Sequence, residues 1–319
     1  MRSITKILVP VLLVFYFNAS SQQIQISKEQ LIALTPEWKG ERFPDGRPKA
    51  PDSLLDRLKN VTLEEAWAVL RNNNYNFQYE DGWQTINPDS VLVGRAVTAT
   101  FMPGRPDIQR AIDSFGILKG GRIKSQNSWP LDLLVKRDVY VADQFGAHNN
   151  GPTIGDNLGN SIFAKTGNGI VYNGAIRDIV GLKELKSFTS FFRTYHPSHH
   201  LNNSERPGQL NTTLVAINQP TRIGMATVMP GDVVLGRDGG VLFIPPHLLE
   251  TVVKTSEIVR LRDMFGHQRL REGKYTPGQI DNRWSDEIER DFSRWLNEHI
   301  DKLPVPRSQI QEYLKGRTW

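Results

Sequence analysis

Cysteine is absent from this 319-residue chain. That excludes thiol catalysis, thiolate-bound zinc and disulfide cross-links, and it fits any redox compartment. Charge of one sign is nowhere concentrated: 39 Lys and Arg stand against 34 Asp and Glu, a net +5 spread along the sequence. No basic block carries interleaved aromatics, so no nucleic-acid partner is expected. Long apolar runs are also missing. The one at residues 7–17 is too short for a comfortable membrane span. There is no internal repeat, no low-complexity segment and no glycine-rich loop placed to cradle a cofactor. What remains, 39% hydrophobic, 23% charged and 9% aromatic residues, is the composition of a folded globular protein of one large or two small domains.

Arg2 and Lys6 flank the start of the apolar run, and Ala19-Ser20-Ser21 follows it with small residues spaced for cleavage. These parts make a secretory signal peptide over residues 1–21, with an uncleaved anchor as the alternative. The mature protein is then exported, periplasmic or secreted, with no stable membrane span. No lipobox cysteine is available for a lipid anchor.

Residues 22–60 are polar and carry Pro36, Pro44, Pro48 and Pro51. They read as an extended arm with one short helix near 28–34, lying over a neighbouring subunit or mobile. Thr62-Leu63-Glu64-Glu65 is a capping-box pattern that opens a helix to Arg71, with Leu63, Ala66, Trp67 and Leu70 on one face. Residues 90–101 form a strand pattern interrupted by Gly94, as at a bulge. A helix is expected over 107–116 and a strand over 138–145. A helix capped by Asp156 or Asn157 is expected to stop near Gly167, before a strand at 170–172 and a short helix around 182–185. Strand, helix and strand in succession predict a parallel pair. Residues 222–229 read as one strand, and 233–235 with 241–244 as a hairpin around Gly236-Arg237-Asp238-Gly239-Gly240. Helices follow at 248–270 and 285–303, the second with Ile288, Phe292, Trp295 and Leu296 on one stripe.

The stretch 155–185 gathers the chemistry. Gly155-Asp156-Asn157-Leu158 opens a helix with a carboxylate, and Gly174-Ala175-Ile176-Arg177-Asp178 leaves a strand with a cation beside a carboxylate. Read alone, Asp156 is first a helix cap, and Arg177-Asp178 is a surface ion pair or a functional pair. Meeting in space, these pieces would make an active site.

Several segments, in order, resemble the RraA-like family, which includes class II 4-hydroxy-4-methyl-2-oxoglutarate aldolases and the regulator of ribonuclease activity A. They are Val93-Gly94-Arg95-Ala96-Val97-Thr98, the strand ending in Asp143, Gly155-Asp156-Asn157-Leu158, Gly174-Ala175-Ile176-Arg177-Asp178, Pro230-Gly231-Asp232-Val233-Val234 and Gly240-Val241-Leu242-Phe243-Ile244-Pro245. The resemblance implies an α/β fold of the β/β/α swivelling type over about 61–246, with an insert near 187–220 and a helical C-terminal extension over 247–319. It implies a homotrimer or hexamer. It also implies a divalent metal, Mg²⁺ or Mn²⁺, on Asp178, with metal-bound water held by Asp156 and a substrate carboxylate on Arg177. Backbone N–H groups after Gly155, at Asn157 and Leu158, would hold the 2-oxo acid. The sequence departs from the family where an acidic D-x-D-G hairpin is usual: Arg237-Asp238-Gly239-Gly240 stands there instead. A carboxylate from a neighbouring subunit often completes the aldolase site, and this sequence does not place it.

The chemistry agrees with the resemblance. Cleaving a 2-oxo acid to pyruvate builds enolate charge, which a hard cation on oxygen ligands can offset. His196-Pro197-Ser198-His199-His200 has no zinc spacing and reads as a loop of solvent-facing histidines. Lys165 reads as a helix-surface lysine rather than a Schiff-base residue. The expected function is a metal-dependent lyase acting on a hydroxy-2-oxo acid or oxaloacetate. The alternatives are a non-catalytic oligomeric binding protein and, by an old family label, a methyltransferase.

Overall fold

The computed structural model describes residues 24–123, 125–147 and 151–316, so the expected signal peptide lies outside the described residues. From the N-terminal side, α1 (Lys28–Leu34) and α2 (Asp52–Leu58) precede α3 (Leu63–Asn72). Short strands β1 (Tyr79–Glu80) and β2 (Gln84–Ile86) lead to β3 (Leu92–Pro103), and α4 (Pro106–Asp113) is followed by β4 (Asp138–Ala147). Then α5 (Asp156–Thr166), β5 (Ile170–Ile176), α6 (Ile179–Lys183) and β6 (Ser190–Tyr195) alternate. Strands β7 (Thr212–Ile217), β8 (Thr221–Ile223), β9 (Ala226–Val228), β10 (Val233–Arg237) and β11 (Gly240–Ile244) follow. Helices α7 (Leu249–Arg271), α8 (Pro277–Ile280), α9 (Asp286–His299) and α10 (Arg307–Lys315) close the described chain.

Among the described residues, nine strands form one sheet in the order β1-β11-β10-β3-β4-β5-β6-β2, with β7 also on β3. Strands β3, β4, β5 and β6 run parallel, while β10 and β7 pair antiparallel with the early and late halves of β3. This is why β3 and β5 read as almost continuously apolar: parallel strands covered on both faces have no water side. One core lies against α4, α5 and α6 around Trp129, Tyr140 and Tyr172, and another packs β8 and β9 on the opposite face. Helices α2, α3 and α7 cover the β10–β11 hairpin. The C-terminal helices hold a separate cluster around Phe265, Phe292 and Trp295. The α/β class with a helical C-terminal region is thus as the sequence predicts.

Several local expectations are corrected. The arm folds onto its own chain: it holds a second helix, α2, and Arg47 is buried between Asp45 (2.7 Å) and Asp138 (3.1 Å). Arg95, on β3, donates to Ala50 O and to Asp52, at 2.9 and 2.7 Å, and completes this tie. Gly94 is in regular register with Val234; it is glycine because a Cβ there would meet Arg137 O at 2.4 Å. The shift in β3 falls at Thr100/Phe101. Trp67 lies off the buried face of α3, which uses Leu63, Ala66, Val69 and Leu70. Residues 222–229 contain a tight β8–β9 turn rather than one strand. The segment 187–220 contributes β6 and β7 to the main sheet.

Candidate active site

Strands β4 and β5 end at one rim of the sheet, where loops of α/β proteins bind ligands. Residues beyond β4 return to this rim: Ile154 bridges Ile176 in parallel, and its carbonyl accepts the Arg177 N–H at 3.0 Å. This strap sets Gly155 directly against the residues that leave β5. A Cβ on Gly155 would lie 2.4 Å from Asp178 Oδ2 and 3.1 Å from Arg177 Cζ. The two motifs at the ends of the 155–185 stretch therefore do meet.

Arg177 Nη1 stands 3.0 Å from Asp178 Oδ2, with the side chains 32% and 36% exposed, so the pair is open to solvent on one side. Arg177 Nε is shielded and has no hydrogen-bond partner. The part-exposed guanidinium is the group at this rim to which a ligand carboxylate can bind. Asp178 sits at the N-cap of α6 in the left-handed region (φ 57°, ψ 40°), yet its side chain makes no capping bond. Aspartate is one of the residue types that adopt this region readily, and its carboxylate is left to Arg177 and to solvent.

Asp156 is the first residue of α5, not its cap. Gly155 takes the cap position without a side chain, and the helix ends at Gly167 with φ 71°. Asp156 Oδ1 accepts the Asn157 N–H at 2.8 Å. The Asn157 donor is thus occupied, and among the described residues Leu158 N–H is left without a partner to serve as the backbone donor. The Asp156 side chain packs over α6, 3.0 Å from where a Gly181 Cβ would be. Helices α5 and α6 both begin at this rim, and the partial positive charge of α5 favours an anion there.

Asp178 and Asp156 supply hard oxygen donors. Among the described residues, no group of three or more His, Asp or Glu side chains could hold a metal ion. The donor set still fits Mg²⁺ or Mn²⁺, which keep several waters and take one or two protein carboxylates. Arg237 is remote from the rim. It ends β10 beside the start of β3, where Gly236 pairs Leu92, and it bonds Asp238 and Val61 O at 2.7 and 3.0 Å. An acidic hairpin at that position would face away from its own chain's Asp178, so its loss leaves the Arg177–Asp178 pair intact.

The histidine loop is not uniformly solvent-facing. His196 Nδ1 is within 2.9 Å of Ser198 Oγ in a local turn, and His199 is exposed. His200 Nδ1 stands 3.2 Å from Thr212 Oγ1, while its Nε2 is shielded and unpartnered. Burial, then the nearby Arg177 and His199 charges, push its pKa down to about 4, so a neutral imidazole neighbours Arg177. No sequence pattern singled out His200 within this loop. Lys165 donates to Leu131 O at 2.7 Å and is not at the site.

A family model described as Aldolase/RraA, of the RraA-like proteins, matches residues 56–243. No curated protein matches the chain. Among solved structures, an uncharacterized protein from Pseudomonas syringae pv. tomato str. DC3000 is 20% identical, with TM-score 0.58, covering 76% of this chain and 99% of its own. RraAS2 of Streptomyces coelicolor, described as an unusual member of the RNase ES inhibitor RraA family, is 24% identical, with TM-score 0.57, covering 69% and 100%. A structure described among novel cellulases from gut-associated microbes is 19% identical, with TM-score 0.54, covering 75% and 96%. At these identities the likeness shows the fold alone.

Proposed function

This chain belongs to the RraA-like family, and on that footing we propose that it is a divalent-metal-dependent carbon–carbon lyase, which cleaves a hydroxy-2-oxo acid or decarboxylates an oxaloacetate-like acid to give pyruvate. The observation that carries this reading is the rim itself: an Asp178 carboxylate that caps no helix, the part-exposed Arg177 paired with it and the start of α5, all brought together at Gly155. We further propose export, on the apolar run at 7–17, and assembly as a homotrimer or hexamer, on the family resemblance.

Asp178 would hold Mg²⁺ or Mn²⁺, which would supply positive charge against the enolate formed when the carbon–carbon bond breaks. Arg177 binds the substrate carboxylate, orienting the scissile bond. Leu158 N–H donates to a substrate oxygen on which negative charge grows. Asp156 would hold the water that takes the substrate hydroxyl proton in retro-aldol cleavage. The bonding pair passes to the 2-oxo acid fragment, and reprotonation there gives pyruvate.

The test is pyruvate release from a panel of hydroxy-2-oxo acids and oxaloacetate, with Mg²⁺ or Mn²⁺ added. Wild type is expected to release pyruvate and Asp178→Ala to lose that activity. An inactive wild type, or a fully active Asp178→Ala, would refute the reading. A second reading, a non-catalytic oligomeric binding protein, draws on the sparse ligand set at the rim. It requires a stoichiometric protein partner and no affinity for either metal.

A further inference from the structure

A second concavity lies away from the rim, between the turn after α1 and the start of β10. Its volume is about 370 Å³, within the range of small-molecule sites. Its walls include Trp38, Tyr75, Met229 and the Pro245-Pro246 corner. Its ionisable groups are Asp232, Glu37, His247 and the Tyr75 hydroxyl, which lies 3.3 Å from His247 Nε2. Among the described residues lining it there is no lysine or arginine. Neither Asp156, Arg177 nor Asp178 lines it.

Asp232 decides the chemistry. Only 3% exposed, it lines the cavity and uses Oδ2 to accept the Met229 N–H at 2.8 Å. Its Oδ1 has no hydrogen-bond partner among the described residues. That oxygen is not among the fully shielded ones and opens on the cavity, so a carboxylate this buried, with one donor and no counter-ion, is one a cation in the cavity would stabilise. We propose that this cavity binds a small organic ammonium ion with an apolar or aromatic body, with Asp232 as counter-ion and Trp38 and Tyr75 as aromatic walls. Both aromatic faces suit a cation, and Glu37 at the exposed edge attracts one. Consistent with this, burial pushes the Asp232 carboxyl up to about 7, with no cation beside it to bring it down.

Calorimetric titration of the purified protein at pH 8 tests this, with 2-phenylethylammonium as probe and 2-phenylethanol and 3-phenylpropanoate as neutral and anionic controls. The ammonium is expected to bind saturably, at least about tenfold more tightly than the alcohol, with no binding of the carboxylate. Asp232→Asn keeps an acceptor for Met229 N–H and is expected to bring the ammonium to the level of the alcohol. Trp38→Leu is expected to weaken the ammonium by about 3- to 10-fold. Asp178→Asn is expected to change nothing, which separates this site from the rim. Equal binding of ammonium and alcohol, no saturable binding, or undiminished ammonium binding by Asp232→Asn overturns the proposal. Should Asp232→Asn not fold, undiminished ammonium binding by Trp38→Leu overturns it instead.

Discussion

Replacing Gly155 by alanine adds one methyl group at the centre of the rim. The backbone there is extended, φ −133° and ψ −168°, a conformation any residue adopts, so the change strains no dihedral. Its effect is steric: the new carbon lies 2.4 Å from Asp178 Oδ2 and 3.1 Å from Arg177 Cζ and Nε. To reach an ordinary contact of 3.4 Å, the carboxylate must retreat by about 1 Å and the guanidinium by a few tenths. Both side chains are partly exposed and can move, so the stability cost is about 1 kcal/mol. That corresponds to a melting shift of no more than about 4 °C. Displacing reacting groups by such a distance costs roughly 100-fold in rate. Circular-dichroism melting beside kcat/KM for pyruvate release should therefore show a near-native fold with a deep loss of activity. Gly159→Ala is the contrast: its methyl would lie 2.1 Å from Leu182 Cδ2 in the core and should chiefly lower the melting temperature. A Gly155→Ala variant within about twofold of wild-type kcat/KM would refute the placement of Arg177 and Asp178 as working groups.

Other consequences reach beyond the rim. Asp138→Ala removes the carboxylate shared by buried Arg47 and Arg95, which keep Asp45 and Asp52, and should cost about 1–3 kcal/mol in denaturant unfolding. Asp232 has its folded pKa raised to about 7 from an ordinary 3.8, so it contributes stability fully present below about pH 3.8 and lost as pH rises through 7. Across that window wild type should lose on the order of 2–4 kcal/mol relative to Asp232→Asn, measured as the difference between their urea midpoints. Phe292→Ala should cost about 3–5 kcal/mol within the C-terminal helices. Amide exchange should then rise in α9 and α10 while protection in β4 and β5 is retained.

The elements specified by local chemistry were legible in the sequence. The capping box at Thr62, the helix from Asp156 to its glycine stop, and the Asp238-Gly239 hairpin each follow from neighbours within a few residues. The meeting of Gly155 with Arg177 and Asp178 was legible as an expectation, because strand, helix and strand return the chain to one rim. The arm was not legible, since what folds it, Arg47 on Asp138 and Arg95 on Asp52, joins residues far apart in sequence. Strand β6 was hidden because its aromatic run is buried and lacks the alternation that betrays a half-exposed strand. Gly94 resembled a bulge because close approach of a neighbouring carbonyl and a bend both call for glycine. His200 had no signal, since its shielding depends on where Thr212 and Arg177 lie in space.

Metal affinity at Asp178 is the most direct measurement. Free Mn²⁺, followed by electron paramagnetic resonance, should fall on titration with wild-type protein and reveal one site per chain, and oxalate should perturb the bound signal. Asp178→Asn should leave the ion free while keeping the wild-type melting curve. Mn²⁺ binding of equal strength by wild type and Asp178→Asn, or none by a folded wild type, would contradict a metal-dependent site at Asp178.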